Sequence, residues 1–286
     1  MSSKKSRALF QDVGNSLVIQ SRVLARLNAL LTDTWDFCVN NPSGKDGGRS
    51  TGKTDIIHGG LREAILDCFG NTKTQFEHRF SLRAEEADAS GKTKRLKLKD
   101  CLGSNFHPDL MLFDRLHRQE DTVILAKARM FGLNKNRNNN ASNSLGEAQK
   151  ILAAECNKEL NVLAFNFTPK NSFLQKKGAL HCEKVNPLGF NTEVVEGKRA
   201  LDLFGIIDSI KERIYEVNVS YDLKFKNPES PSKDLDIKNI TSKAQLKEVV
   251  AFHVKNNIPF IVLEKEDIQE FINYCMQLSH RVHTGL

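Results

Sequence analysis

Apolar residues recur along the chain with two periods, and the period predicts whether a segment forms a helix or a strand. Leucines and valines at helical spacing within residues 11–37 predict one amphipathic helix. Residues 110–113 and 123–126 are apolar runs of strand length, and the polar residues 114–121 predict a turn between them. Residues 161–168 predict a third buried strand, which Pro169 ends.

The other segments add helices and strands around these three strands. Further helices are predicted at residues 60–69, 144–160, 201–214, 244–255 and 266–278, and further strands at residues 76–82, 215–225 and 258–263. This order predicts an α/β fold, with a central mixed sheet flanked by helices and with peripheral helices.

The domain organisation follows from the absence of an internal repeat or a clear linker. We therefore expect a single domain over residues 1–286, with its core at roughly residues 56–225. The N-terminal helix, within residues 1–40, and the helix-strand-helix elements of residues 234–286 lie outside this core.

Positive charge indicates a polyanionic partner. The formal net charge is +7 and the isoelectric point is about 9.0, which favours nucleic acid. Lys94 and Arg95 belong to a basic run at residues 92–99, which we interpret as a surface hairpin or loop able to contact phosphates. A solvated charged face is the simpler alternative for this run.

A second candidate for nucleic-acid contact is the polar segment at residues 134–143, which predicts an exposed loop. Its Lys135, Asn136, Arg137 and Asn138 suit the reading of base edges in a DNA groove, where arginine pairs with guanine and asparagine with adenine. The alternative is a polar loop that binds nothing.

Cysteine usage favours a reducing compartment. The chain has six cysteines, none in a C-x-x-C pair and none grouped with histidine at zinc-finger spacing. We expect free thiols and a cytoplasmic location. No apolar run approaches the roughly 18 residues of a transmembrane helix, so we expect no membrane partner.

One motif indicates a nucleotide site but lacks the surroundings that it needs. Gly47, Gly52, Lys53 and Thr54 match the P-loop pattern G-x-x-x-x-G-K-[ST]. A P-loop requires a buried strand directly before it and a helix directly after it. The preceding residues are polar, and residues 58–60 (His-Gly-Gly) predict an interruption of the helix. A P-loop nucleotide hydrolase is therefore the minor alternative.

The candidate chemistry lies at the ends of the two neighbouring strands. Pro108 and Asp109 open the first apolar run, and Lys127 closes the second. A carboxylate and a lysine on adjacent strands can form a metal-and-water site that cuts a phosphodiester. The order of the elements around them resembles the PD-(D/E)XK nuclease superfamily, whose best-known members are type II restriction endonucleases. The resemblance covers roughly residues 56–168.

This resemblance implies a fold, a reaction and a set of residues. The fold would be restriction-endonuclease-like, and the reaction would be the Mg²⁺-dependent, sequence-specific cleavage of double-stranded DNA by a homodimer. Asp109 would be a metal ligand, Lys127 the catalytic lysine, and Glu63 an accessory acid on the preceding helix. The N-terminal helix or the C-terminal elements would supply the dimer contact.

The sequence departs from the family pattern at one position. The family has Asp or Glu two residues before the lysine, where this chain has Leu125. Three explanations stay open: Glu147 supplies the second catalytic and metal-binding carboxylate, the chain carries an inactivating substitution, or the site is naturally inactive and the protein only binds DNA. Ser144 and Glu147 also match a capping box, which predicts a helix that begins at Ser144.

Overall fold

The computed structural model describes residues 17–40, 51–87, 92–133, 137–185, 194–195, 198–199 and 208–284. The helices in these ranges are α1 Leu17–Asn40, α2 Thr51–Phe69, α3 Lys73–Arg79, α4 Arg137–Leu152, α5 Asp208–Lys211, α6 Lys243–Lys255 and α7 Gln269–Thr284. The strands are β1 Phe80–Arg83, β2 Glu85–Ala87, β3 Thr93–Arg95, β4 Leu98–Lys99, β5 Asn105–Phe106, β6 Leu110–Asp114, β7 Gln119–Ala128, β8 Asn161–Pro169, β9 Asn171–Lys176, β10 Ala179–Lys184, β11 Val194–Val195, β12 Lys198–Arg199, β13 Ile214–Leu223, β14 Phe225–Asn227, β15 Ser230–Leu235 and β16 Ile261–Val262.

Six strands form the central sheet, in the order β1-β6-β7-β8-β13-β16. β1, β6 and β7 form an antiparallel meander, whereas β7, β8 and β13 run parallel to one another. β16 closes the other edge in an antiparallel direction. Parallel neighbours need a crossover connection, and α4 is the helix between β7 and β8. The prediction of an α/β fold with a mixed sheet flanked by helices is confirmed.

Each face of the sheet packs against different helices because side chains alternate along a strand. On β7, Ile124 faces one hydrophobic cluster, which also holds the buried side of α1 and α2. Val123 and Leu125 face the other cluster, together with Leu145 and Ala148 of α4. Lys127 continues the alternation of Val123 and Leu125, so its side chain lies on the α4 face.

Helices α1 and α2 approach each other closely at two glycines. A Cβ atom added at Gly60 would lie 2.5 Å from Cδ1 and 2.9 Å from Cβ of Leu30. A Cβ atom at Gly52 would lie 2.8 Å from the ring of Phe37. Only glycine allows such an approach without displacing the partner helix. The apolar side of α1 is therefore used for packing within the chain.

Several predicted boundaries are wrong. The pattern at residues 76–82 predicts a strand, which in the structure begins only at Phe80, in β1. Residues 73–79 form α3, in which Phe76 stacks on Phe69 at a centroid distance of 4.1 Å. His58 and the two glycines after it do not interrupt a helix, since α2 begins at Thr51. Residues 169–200, for which the sequence pattern predicts no helix or strand, contain the paired strands β9 and β10.

The start of α4 also differs from the prediction. The helix begins at Arg137, so Ser144 lies in its interior and cannot be its N-cap. The exposed loop predicted at residues 134–143 is wrong from residue 137 onwards for the same reason. Ser144 is buried, and its Oγ accepts a 2.7 Å hydrogen bond from Nη2 of Arg129. Glu147, three residues later, also lies in the helix interior and therefore has no capping role.

No helix within the described ranges is long and apolar enough to cross a membrane.

Candidate active site

Asp109 lies at the start of β6 and is fixed against β7. The two strands pair with Leu110 opposite Ile124, so the residue before Leu110 reaches the end of β7. There Oδ2 of Asp109 accepts a 2.8 Å hydrogen bond from the backbone N–H of Ala126. Asp109 and Lys127 therefore lie at the same end of the sheet, as their positions in the sequence predicted.

Lys127 and Glu147 form an ion pair across the α4 face of the sheet. Nζ of Lys127 lies 2.8 Å from Oε2 of Glu147, and the side chains are 30% and 36% exposed. Oε2 itself is shielded from solvent. The structure thus brings together Lys127 and the acid that the sequence offered as a substitute for the one missing at Leu125. Leu125 is buried beneath α4 and contributes packing alone to this region.

His58 is a member of the site that the sequence did not predict. Its Nε2 lies 3.1 Å from Oδ1 of Asp109, and the two side chains are 15% and 20% exposed. Glu63 lies five residues further along α2, which places it about 140° around the helix from His58. His58 is therefore on the face of α2 that contacts Asp109, and Glu63, the predicted accessory acid, lies on a different face.

A row of polar side chains continues from Lys127 across the parallel strands. Asn166 pairs with Lys127 in the register of β7 and β8, and with Asn218 in the register of β8 and β13. Nδ2 of Asn166 donates to Oδ1 of Asn218 at 3.1 Å and to Oε1 of Glu216 at 3.4 Å. Asn166 is almost fully buried, and a buried amide needs such partners. A lone asparagine inside the apolar run 161–168 was the signal that could have revealed this row.

Further cationic side chains surround the end of β7. Nζ of Lys53 donates a 2.6 Å hydrogen bond to the carbonyl oxygen of Ala128. Burial lowers the pKa of Lys53, and repulsion from Arg129 and Lys127 acts in the same direction. This concentration of positive charge suits an anionic ligand such as a phosphodiester.

The surroundings of Lys53 do not match a P-loop. Lys53 lies in the first turn of α2, and the element that precedes α2 in the described ranges is the helix α1 rather than a strand. Its ammonium group is buried against a backbone carbonyl. Within the described residues, no strand leads into the helix that carries Lys53, as a P-loop requires.

The two carboxylates at the Lys127 end of the sheet suit a metal that takes few protein ligands. The described residues hold no group of three His, Cys, Asp or Glu side chains placed to bind a metal. Mg²⁺ is commonly held by one or two carboxylates together with water and substrate phosphate. Asp109 and Glu147, both partly exposed, provide such carboxylates and would be the residues that hold Mg²⁺.

The residues predicted to contact DNA fall in different places. Lys94 and Arg95 are exposed on β3, which pairs with β2 as a surface hairpin, and Arg95 lies 3.7 Å from Asp55 of α2. Lys135 and Asn136 lie outside the described residues. Arg137 and Asn138 belong to the first turn of α4 rather than to a loop, so the loop assigned to them is wrong. Their contacts with DNA stay a prediction.

Comparison with known proteins adds no relative: no family model, no curated protein and no solved structure matches this chain.

Proposed function

We propose that this chain is a cytoplasmic, Mg²⁺-dependent endonuclease that cuts double-stranded DNA, of the type II restriction kind. The observation that carries the proposal is the arrangement at the end of β6 and β7. Asp109 is bonded to the strand that bears Lys127, and Lys127 contacts Glu147 at 2.8 Å. Two acids can hold a divalent metal and a lysine can orient or deprotonate the attacking water, so together they can support the hydrolysis of a phosphodiester.

The order and direction of the elements support the same proposal. Along the chain come helix α2, the antiparallel sheet strands β1, β6 and β7, helix α4, and strand β8, which is parallel to β7; α3 and the short strands β2 to β5 lie between them. This is the order on which the resemblance to the PD-(D/E)XK nucleases rests. Asp109 and Lys127 occupy the strand ends that the resemblance implies, and Glu147 lies on the following helix.

The chain's own residues can position the reacting groups. The Ala126 amide fixes the carboxylate of Asp109, and Glu147 holds the ammonium of Lys127 at the same end of the sheet. From there Lys127 can hydrogen-bond the attacking water and offset the negative charge that develops on the phosphate. Bound Mg²⁺ would supply Lewis-acid stabilisation of the phosphate and a lower pKa for the water.

A homodimer belongs to this proposal because two sites related by a two-fold axis can cut both strands of a palindromic sequence. The experiment is the incubation of the purified protein with phage or genomic DNA and Mg²⁺. Discrete fragments are expected. A smear would contradict sequence specificity, and DNA left intact with both Mg²⁺ and Mn²⁺ would contradict the nuclease proposal.

Leu125 favours a second candidate, a DNA-binding protein that shares the fold without cutting. Leu125 is 2% exposed and stands where the family has a carboxylate. In that case Lys127 and Glu147 would serve as an ion pair that attaches α4 to the sheet. The second candidate predicts DNA binding that weakens with salt, with no cleavage under any divalent metal.

A further inference from the structure

Strands β9 and β10 form a two-stranded ribbon that the proposed reaction does not use. The strands are paired from Asn171 opposite Lys184 to Lys176 opposite Ala179. Lys177 and Gly178 form the connecting turn, with φ angles of +49° and +87°. Positive φ at both positions of a two-residue loop is the type I′ hairpin turn, which matches the twist of the strands. The ribbon therefore has a defined shape up to its tip.

The base of the ribbon is fixed beside the candidate active site. Strand β9 follows directly on β8, whose C-terminal end lies at the same end of the sheet as Lys127 because β7 and β8 are parallel. Oγ of Ser172 donates a 3.1 Å hydrogen bond to the carbonyl of Met130, and the amide of Gly132 donates to the carbonyl of Phe173 at 2.9 Å. The segment that holds the base thus begins three residues after Lys127.

The tip of the ribbon is exposed and basic. Phe173 and Leu180 are buried where the ribbon meets the rest of the protein, whereas Lys176, Lys177 and His181 are exposed. Together with neighbouring side chains, these three line an open depression at the tip. The amide of Leu180 donates a 2.7 Å hydrogen bond to the carbonyl of Thr241, so the ribbon is held against the protein to within two residues of its turn. The turn and the residues beside it present hydrogen-bond donors and positive charge on a fixed support.

We propose that the tip of this ribbon enters the major groove of duplex DNA next to the phosphodiester that lies at Asp109 and Lys127. This inference rests on the proposed function, because the proposed cleavage site defines where along the DNA the ribbon binds. The major groove of B-form DNA is wide enough for a two-stranded ribbon, whereas the major groove of A-form RNA is too narrow. In this position Lys176 and Lys177 contact backbone phosphates of the DNA.

The backbone at Lys177 supports a binding role for its side chain. A lysine with positive φ is strained relative to glycine or asparagine, the residues that favour a type I′ turn. Strain of this kind is concentrated at binding and catalytic positions. Lysine at the tip costs turn stability and places one positive charge at the furthest point of the ribbon.

Replacement of Lys177 by asparagine removes the positive charge and relieves the backbone strain, so a binding role predicts weaker DNA binding together with unchanged or higher stability. The chain also offers a matched control. Arg118 is also an exposed basic residue with positive φ, +56°, but it lies in the turn before β7. That turn is at the opposite end of the strand from Lys127, about 30 Å away. Lys177→Asn and Arg118→Asn therefore remove the same charge and relieve the same strain at different ends of the sheet.

The measurement is the fluorescence anisotropy of a labelled 30-base-pair DNA duplex without divalent metal, over a series of salt concentrations. For Lys177→Asn we expect weaker binding and a fall of about 0.9 in the slope of log K against log salt. Arg118→Asn should bind like the wild type, and Lys177→Arg should keep the wild-type slope. Both asparagine variants should unfold at or above the wild-type temperature, which excludes misfolding as the cause.

The ribbon proposal is overturned if Lys177→Asn binds DNA like the wild type, if Arg118→Asn loses as much affinity, or if binding of an RNA duplex depends equally on Lys177. A cleavage assay with Mg²⁺ distinguishes this failure from failure of the proposed function. Ribbon-dependent binding without cleavage contradicts the nuclease and supports the ribbon. Cleavage combined with DNA binding that does not depend on Lys177 supports the nuclease and contradicts the ribbon proposal.

Discussion

Replacement of Gly60 by alanine should destabilise the protein, whereas the same change at Gly59 should stabilise it. Both glycines lie in α2, where alanine is favoured over glycine by about 1 kcal/mol. A Cβ atom at Gly59 meets nothing within 4 Å, but one at Gly60 lies 2.5, 2.8 and 2.9 Å from Cδ1, Cγ and Cβ of Leu30. Because Cβ of Leu30 cannot move without the backbone of α1, a rotamer change cannot remove the clash.

The structure sets the size of the expected effect. Overpacking of this kind costs about 1–3 kcal/mol, and the gain in helix propensity is common to both variants. The free energy of unfolding should therefore be about 1–3 kcal/mol lower for Gly60→Ala than for Gly59→Ala. Urea denaturation followed by far-UV circular dichroism measures this difference, with unchanged m-values expected for both variants.

The reasoning is refuted if the two alanine variants have the same denaturation midpoint. Equal stability would mean that α1 and α2 do not approach each other at Gly60. The packing of α2 beside α1, two residues after His58, would then be wrong as described.

Two further predictions concern buried polar groups away from the site. Burial lowers the pKa of His253, whose Nε2 accepts a 2.8 Å bond from the Lys226 amide. Because the unfolded chain binds the proton more readily, stability should fall as pH drops below about 6.5 towards the folded-state pKa. The urea midpoint of His253→Gln should not fall in this pH range. Parallel pH profiles for the wild type and the variant would argue against a contribution from His253. Arg281 pairs with the buried carboxylate of Asp121. Arg281→Met should therefore lower the free energy of unfolding by about 1–3 kcal/mol in the same assay, and an unchanged midpoint would rule out an anchoring role for this pair.

The parts of the site that could be predicted from the sequence are those formed by segments that lie close together along the chain. Two apolar runs joined by a polar turn pair as a hairpin, so the prediction brought Asp109 and Lys127 to the same end of the sheet, and the structure agrees. Glu147 came from the resemblance, which allows the second carboxylate to lie on the following helix, and the structure places Glu147 on that helix beside Lys127.

The parts that could not be predicted depend on packing between distant segments. His58 meets Asp109 through the packing of α2 on the sheet beside α1, whereas the local sequence His-Gly-Gly predicts a helix interruption. Helix propensity disfavours those glycines, but tertiary packing outweighs it. The capping box at Ser144 failed in the same way, since a local pattern competed with a helix that begins at Arg137.

The measurement that tests the central claim most directly is the single-turnover rate of DNA cleavage with Mg²⁺ in three variants. We expect Asp109→Asn and Lys127→Met to lose at least about 100-fold in rate, the size of effect that general acid–base groups contribute. Lys226→Met, which removes the exposed ion pair with Asp234, should cleave like the wild type. Circular dichroism spectra should be the same for all of these proteins. Cleavage by Asp109→Asn or Lys127→Met at the wild-type rate would contradict the assignment of the site.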